Sequence, residues 1–413
     1  NLLMALIAPR HLMLSSSITE SQGNPLGIEL AYKSAKSVYK FLNSEDNIYL
    51  DLRIGYHPPA SRDFEKFMDF FDYAFNRGSI KPPRTIYYDY SFQKYKKLSN
   101  ENINPSDFPQ KTLTDLLKDS SGNPITTTAQ WQKKKKQIKQ NINFILGKTP
   151  PQISPGYQRD ALRDIINHRW PNPEIPHEKQ EMLFGCLYTP LNAQNSPVII
   201  YLHEYDHTTG STRRTTPILE HILSNNHAVF IFDQLGYGTR VIEAKNFYRR
   251  YPHWSRMSRM ISDVTFTVDK LTSLPNIDPN NIHLAGYSLG STVALFSAVL
   301  DQRIASVTAA CGFTPLRSTA QNTDIEGIKA YSHIHGLIPR MGFFTDHPEN
   351  LPTDFDEIIA SIAPRPVTLI APLNDRFAVP ADIKKSADQL KKLYQLYNKP
   401  ENFQLYQPNH YNT

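Results

Sequence analysis

Residues Gly286-Tyr287-Ser288-Leu289-Gly290 lie between a strand-like run, Ile282 to Ala285, and an apolar helix-like run, Thr292 to Leu300. A chain that leaves a strand, reverses through two glycines and enters a helix within a few residues places that turn at the carboxyl end of a sheet strand. Glycine at 286 and 290 leaves room for the sharp turn, which holds the serine in a strained conformation with its oxygen exposed above the sheet. The five-residue pattern alone is weak, since an ordinary tight turn also contains it. The strand before it and the helix after it are what point to a nucleophile.

The surroundings agree in class. From Glu181 onward strand-like and helix-like segments alternate: Met182 to Tyr188, Val198 to Leu202, a helix near Pro217 to Asn225, Ala228 to Asp233, a helix near Ser255 to Leu271, then Ile282 to Ala285. Such alternation predicts an α/β fold, a mostly parallel sheet covered by helices on both faces. A length of 413 residues exceeds what one core usually serves, so an additional piece or second domain is expected. The 40% apolar and 20% charged shares exclude a disordered chain, and 31 prolines against 17 glycines suggest long, stiff connections.

The net charge of +6 is scattered apart from Lys133 to Lys136, which reads as the solvated face of a helix; no aromatic residues interleave with it, so no nucleic-acid partner is expected. No stretch approaches the roughly 20 apolar residues of a membrane span, and the apolar opening Asn1 to Leu14 is interrupted by Pro9, Arg10 and His11. Cys186 and Cys311 form at most one bridge and match no metal spacing. No cofactor is expected.

An internal repeat organises the rest. Ile7-Ala8-Pro9-Arg10 recurs as Ile362-Ala363-Pro364-Arg365, each before an apolar run, with His11 to Leu14 matching Pro366 to Leu369. In step, Glu20 falls where Asp375 falls. Amphipathic helices follow at Leu30 to Leu42 and Ile383 to Tyr397, then strands at Asn47 to Leu52 and Asn402 to Tyr406, leading to His57 and His410. Residues 1–80 are therefore expected to be the C-terminal portion of a first, incomplete module, in which Glu20 and His57 stand as a relic acid and base without a nucleophile, in a slice of a longer tandem protein. After His57, Phe64, Phe67, Met68, Phe71 and Phe75 recur at helical spacing. Residues 81–123, without a sustained period, read as a linker lying over a surface. The catalytic domain spans 124–413, opening at a capping box, Thr127 with Gln130, ahead of a helix whose Trp131, Ile138, Ile142 and Ile145 share a face.

A serine hydroxyl needs a base within hydrogen-bond reach, and that base needs a group to fix its tautomer. On this kind of turn the chain order is serine, acid, histidine. Asp375 follows the strand Pro366 to Ile370 and His410 follows Phe403 to Tyr406, both in loops after strands. Ser288, Asp375 and His410 are the expected nucleophile, acid and base. An oxyanion needs two N–H donors: Leu289, which follows the nucleophile, and one from the loop after Val198 to Leu202, assigned to Tyr205. His203 and His207 in that loop suggest a metal site only weakly, because no further ligand pair accompanies them.

These residues resemble the α/β-hydrolase superfamily, and more narrowly bacterial carbohydrate esterases of the acetylxylan esterase and glucuronoyl esterase kind. The narrower likeness rests on Ile125 to Trp131 with Leu146 to Pro150, Asp233 to Arg240, Arg250 to Ser255 and the Ile-Ala-Pro-Arg strand entry. It implies a secreted or periplasmic serine esterase that removes acyl groups from plant polysaccharide. Glucuronoyl esterases typically carry cysteine before the nucleophile and arginine after it, where this chain has Tyr287 and Leu289. On that departure, acetyl ester hydrolysis is the expected specificity. A histidine-glycine oxyanion loop is likewise replaced, since Glu204 follows His203. Two other readings remain: a peptidase of the prolyl-oligopeptidase type, and, for residues 1–80, a non-catalytic module.

Overall fold

The computed structural model describes residues 2–18, 24–53, 58–150, 183, 185–190, 194–205, 215–319 and 327–411. Glu20, His57 and His207 lie outside the described residues.

Two sheets are present among the described residues. The smaller pairs β1 (Leu12–Ser17) with β2 (Ile48–Arg53) in parallel, joined by the helix Pro25–Phe41. The larger has seven strands: β3 (Gly185–Tyr188), β4 (Ser196–Leu202), β5 (Ala228–Phe232), β6 (Ile277–Tyr287), β7 (Ile304–Ala310), β8 (Val367–Ile370) and β9 (Phe403–Tyr406), in the order β3-β5-β4-β6-β7-β8-β9. Every neighbouring pair is parallel except β3 with β5, so the edge strand at Gly185–Tyr188 runs against the rest. Helices flank this sheet, the α/β-hydrolase arrangement.

The element types follow from residue pattern. Ala-Val-Phe-Ile-Phe of β5 is buried throughout, as expected of a strand covered on both faces. The helix Leu289–Leu300 is buried along almost its whole length, which its apolar sequence permits. The helix Thr128–Leu146 starts at the Thr127–Gln130 capping box and buries Trp131, Ile138, Ile142 and Ile145. These side chains enter one core with Val198, Leu284, Val293 and Val307.

Two expectations need correction. Residues 81–123 are more than a strap over the surface: the helix Phe92–Ser99 lies within them, and Phe92, Tyr95 and Leu116 enter the main core. Phe92, Tyr95 and Ser99 are buried at helical spacing, but one short helix of eight residues gives no sustained period. The Lys133–Lys136 run is solvated only at Lys133 and Lys136. The Lys134 ammonium donates to the Asp115 and Lys118 carbonyls at 2.6 and 2.8 Å, and that of Lys135 donates to the Ala363 carbonyl at 3.0 Å. The helix Ser61–Ala74 forms as its spacing predicts, with Phe64, Met68, Phe71 and Phe75 on its exposed side. Its other side is attached through ion pairs, Arg53 meeting buried Asp63 at 3.3 Å and Lys66 meeting Asp51 at 2.8 Å, and through the Phe70 and Tyr73 rings, which meet the Tyr49 ring edge-on.

The two matching stretches adopt matching geometry. Ala8–Pro9 and Ala363–Pro364 are both cis. The Tyr39 hydroxyl donates to the Arg10 carbonyl at 2.9 Å, and the Tyr394 hydroxyl donates to the Arg365 carbonyl at 2.8 Å. Asn47 donates to the Pro9 carbonyl at 2.7 Å, and Asn402 donates to that of Pro364 at 2.8 Å. Asn43 and Asn398, with φ of 52° and 54°, end the two helices alike.

The smaller sheet is docked on the larger unit. Val241 and Ile242 of the larger unit are buried in one cluster with Ile18, Tyr32, Leu50 and Tyr87. Buried Glu29 accepts the Tyr87 N–H at 2.7 Å and pairs with Lys33 at 2.6 Å, tying the connecting segment to the helix Pro25–Phe41. The Tyr90 hydroxyl then donates to the Ser332 carbonyl.

Candidate active site

Ser288 has φ 53° and ψ −113°, a conformation costly for a residue with a side chain. Packing holds it there. The Ser288 N–H donates to the Ala310 carbonyl at 2.8 Å, continuing the β6–β7 ladder past the last strand residue. A Cβ on Gly290 would lie 1.9 Å from the Leu202 carbonyl oxygen, and one on Gly286 would lie 2.3 Å from the Gly290 carbonyl carbon. Gly312, at φ +73°, leaves space where a Cβ would come within 2.3 Å of the Ser288 carbonyl oxygen. Ser291 Oγ lies 2.7 Å from the Gly286 and Ala310 carbonyls, and Thr292 Oγ1 donates to the Gly312 carbonyl at 2.8 Å. The turn is over-determined from three sides, which is how a strained serine persists.

Close contact of Gly290 with the end of β4 also brings together the two segments expected to carry the oxyanion donors. It draws the first turn of the Leu289–Leu300 helix, whose leading N–H groups have no acceptor within the helix, against the loop that carries Glu204 and Tyr205. His203 serves the scaffold: its Nε2 accepts the Gln234 N–H at 3.0 Å, so its Nδ1 carries the proton and donates to the Glu204 carbonyl at 2.7 Å. Both ring nitrogens are thereby engaged in holding the two strand ends. Among the described residues no group of three or more His, Cys, Asp or Glu side chains has metal-holding geometry.

Ser288 opens into a cavity of about 570 Å³, whose lining includes Asp375 and Tyr205. Asp375 is buried, and one carboxylate oxygen accepts the Phe377 N–H at 2.9 Å. The loop holding His410 is pinned to the loop holding Asp375: Leu373 N–H donates to the Pro408 carbonyl at 2.9 Å and Asn374 N–H to the His410 carbonyl at 3.0 Å. The His410 side chain is exposed and is not among the cavity-lining residues. Ser288, Asp375 and Tyr205 thus meet in one cavity, with His410 on the loop beside them.

Of the remaining walls the sequence marks only Tyr287 and Glu204, beside the nucleophile and in the oxyanion loop. Aromatic faces come from Tyr287, Tyr331 and Phe377; polar groups come from Glu204, Thr314, His335, Arg376 and Asn24. His335 stacks on Tyr205 with ring centroids 4.4 Å apart, and the Arg376 guanidinium lies 4.5 Å from the centre of the Phe377 ring. Burial, with Glu204 nearby, pushes the Tyr201 phenol above its usual range, so it stays protonated. Arg376 was readable as the neighbour of Asp375, whereas nothing local marks His335 or Asn24.

Comparison with known proteins gives a family. The family model described as glucuronyl esterase, fungi, matches residues 188–400. A solved structure of a CE15 glucuronoyl esterase from Teredinibacter turnerae is similar over 78% of this chain and 95% of its own, at 15% identity and a TM-score of 0.55. A glucuronoyl esterase from Solibacter usitatus covers 75% of this chain and 95% of its own, at 15% identity and a TM-score of 0.53. That of Caldicellulosiruptor kristjansonii, from carbohydrate esterase family 15, covers 73% and 86%, at 18% identity and a TM-score of 0.52. These likenesses carry the fold. Among curated proteins, the quorum-quenching protein AidA of Acinetobacter baumannii is 27% identical over 130 residues, which spans 31% of this chain and 39% of that relative. Of the two enzyme readings of the sequence, the family match is to the esterase. The match is to a glucuronyl esterase model although Tyr287 and Leu289 stand beside the nucleophile.

Proposed function

The chain belongs to the glucuronyl esterase family, and so to the serine carboxylic ester hydrolases, and on that premise we propose that it cleaves esters of a sugar acid through Ser288, Asp375 and His410. One observation carries the reading: a serine held at φ 53° on a strand-to-helix turn opens into a cavity shared with a buried aspartate. His410 takes the Ser288 proton, Oγ attacks the ester carbonyl carbon, and the Leu289 and Tyr205 N–H groups receive the developing oxyanion. The protonated imidazole gives its proton to the departing alcohol. Water, deprotonated by the same imidazole, then attacks the acyl-enzyme, and collapse of the second tetrahedral intermediate frees the acid and Ser288.

A cavity of about 570 Å³ with aromatic faces and several polar side chains suits a hydroxylated ring better than an acetyl group alone. The test is hydrolysis of the benzyl ester of glucuronic acid against acetylated xylan, with Ser288→Ala as control. Preference for the benzyl ester, and loss of about 10⁴-fold or more in Ser288→Ala, is the expected result. Retention of a tenth of the activity in Ser288→Ala would sink the nucleophile assignment; preference for acetylated xylan would sink the sugar-acid substrate. A secreted or periplasmic location accompanies the reading, on the family likeness.

We further propose that residues 1–80 are the closing portion of a second hydrolase module, non-catalytic in this chain, followed by the connection 81–123 and the catalytic domain 124–413. The matched Tyr-to-Arg and Asn-to-Pro hydrogen bonds support it. Sequencing of the parent gene tests this, since a second Gly-x-Ser-x-Gly strand-turn-helix is expected ahead of Asn1.

A further inference from the structure

The smaller N-terminal unit reaches the catalytic cavity. Its helix Pro25–Phe41 starts at Asn24, and Asn24 lines the cavity that holds Ser288 and Asp375. The next residues of the same helix, Leu26 and Leu30, wall an adjoining groove with Tyr88, Tyr90, Tyr237 and His335, and His335 is common to both spaces. This placement is fixed by burial, because Val241 and Ile242 of the catalytic unit share a cluster with Tyr32, Leu50 and Tyr87. The Tyr88 and Tyr90 phenols are both pushed far up by burial, so the seam between the units carries neutral hydroxyls.

From this we infer that Asn24 is a specificity-determining residue of the hydrolase: it donates a hydrogen bond from Nδ2 to an oxygen of the sugar-acid part of the substrate. The inference rests on the reading of Ser288 as nucleophile. Its geometry comes from the cap. Asn24 Oδ1 accepts the Gly27 N–H at 2.8 Å, which orients the amide and leaves the Nδ2 donors without a partner among the described residues. A donor fixed in this way pays little ordering entropy on meeting a ligand. Across the cavity Glu204 supplies an acceptor and Arg376 a further donor, and Tyr287 and Phe377 supply flat faces. Donors, an acceptor and aromatic faces around one space are what a ring with several hydroxyls requires. A short acyl ester, bound only at Ser288, has no atom to reach Asn24.

The cap and the donor can be separated. Asn24→Asp and Asn24→Ser both keep an oxygen that caps the helix and remove the amide donor. In the full chain, each is expected to raise KM for the benzyl ester of glucuronic acid by roughly three- to ten-fold, the range for one neutral hydrogen bond. Activity on p-nitrophenyl acetate and Tm should stay at parent values. Unchanged KM for both esters would overturn the inference, since Asn24 would then be a cap only. An equal loss on both esters would overturn it as well, by showing a structural role. A parent that cleaves p-nitrophenyl acetate but not the benzyl ester would remove the sugar-acid substrate and Asn24's role with it. Failure of the nucleophile reading shows separately, as activity surviving in Ser288→Ala.

Discussion

Among the described residues that line the cavity the histidine is His335, while the histidine assigned as base is exposed and outside that lining. The loop contacts of the proposed acid favour His410. Asp375 has one oxygen committed to the Phe377 N–H at 2.9 Å, and its loop is bonded to the loop of His410 through Leu373 and Asn374. His335 instead stacks on Tyr205 and serves as a wall. His410→Ala is therefore expected to lower kcat by about 10⁴-fold, as for the base of a triad. His335→Ala should keep kcat within about ten-fold and act mainly on KM, because it removes binding that substrate and transition state share. Steady-state kinetics on p-nitrophenyl acetate read both; a larger kcat loss in His335→Ala than in His410→Ala would exchange their roles. Ser288 and Asp375 were legible because each sits at a strand end with a local signature. His335 and Asn24 were not, since they meet the cavity only after distant segments pack, and neither carries a local pattern.

Among the elements, the turn around Ser288 depends on three backbones approaching more closely than side chains allow. Gly290 is the tightest: a Cβ there would stand 1.9 Å from the Leu202 carbonyl oxygen, with the His203 carbonyl oxygen 2.9 Å away. Neither contact is the far end of a flexible side chain, so a strand or the start of a helix has to move. Gly290→Ala is expected to destabilise the protein by about 3 kcal/mol or more, at the upper end of overpacking costs, and to lower activity by displacing the Leu289 N–H. Urea unfolding monitored by circular dichroism measures the first; a change within about 0.5 kcal/mol would show that the ends of β4 and β6 are less constrained than their geometry implies. The elements themselves were readable from period and caps, as the Thr127–Gln130 box and the Trp131, Ile138, Ile142, Ile145 face illustrate. What escaped was a short element: Phe92 and Tyr95 pack into the core from a helix of eight residues, too brief for its period to declare itself. The aromatic stripe of Ser61–Ala74 is the opposite case, correct in period but exposed, because pattern fixes a face and not what covers it.

At the scale of the whole molecule, a buried ionic cluster joins segments far apart in sequence. Lys111, from the segment between the units, donates to Glu357 at 3.0 Å; Arg317 donates to the same carboxylate at 2.9 Å; and the Leu316 and Arg317 N–H groups donate to Asp354. Asp356 is the weakly served member, since its nearest cation, the Arg317 guanidinium at 3.7 Å, is already shared with Glu357. Burial pushes its carboxyl up to about 7, with Arg317 opposing the rise and Glu357 and Asp354 adding to it. A folded value above the unfolded one means that folding favours the protonated form. The carboxyl therefore carries no penalty below about pH 4, where it is protonated in both states, and an increasing one as pH rises through 7. Asp356→Asn keeps the shape and cannot ionise. It is expected to melt above the parent at pH 8, by about 3 °C or more, with the advantage shrinking to nothing by pH 4. Thermal unfolding across that range is the measurement. A variant less stable than the parent at pH 8 would mean that Arg317 wins and the Asp356 carboxylate is held charged, so the cluster would stabilise the fold through all three of its acids.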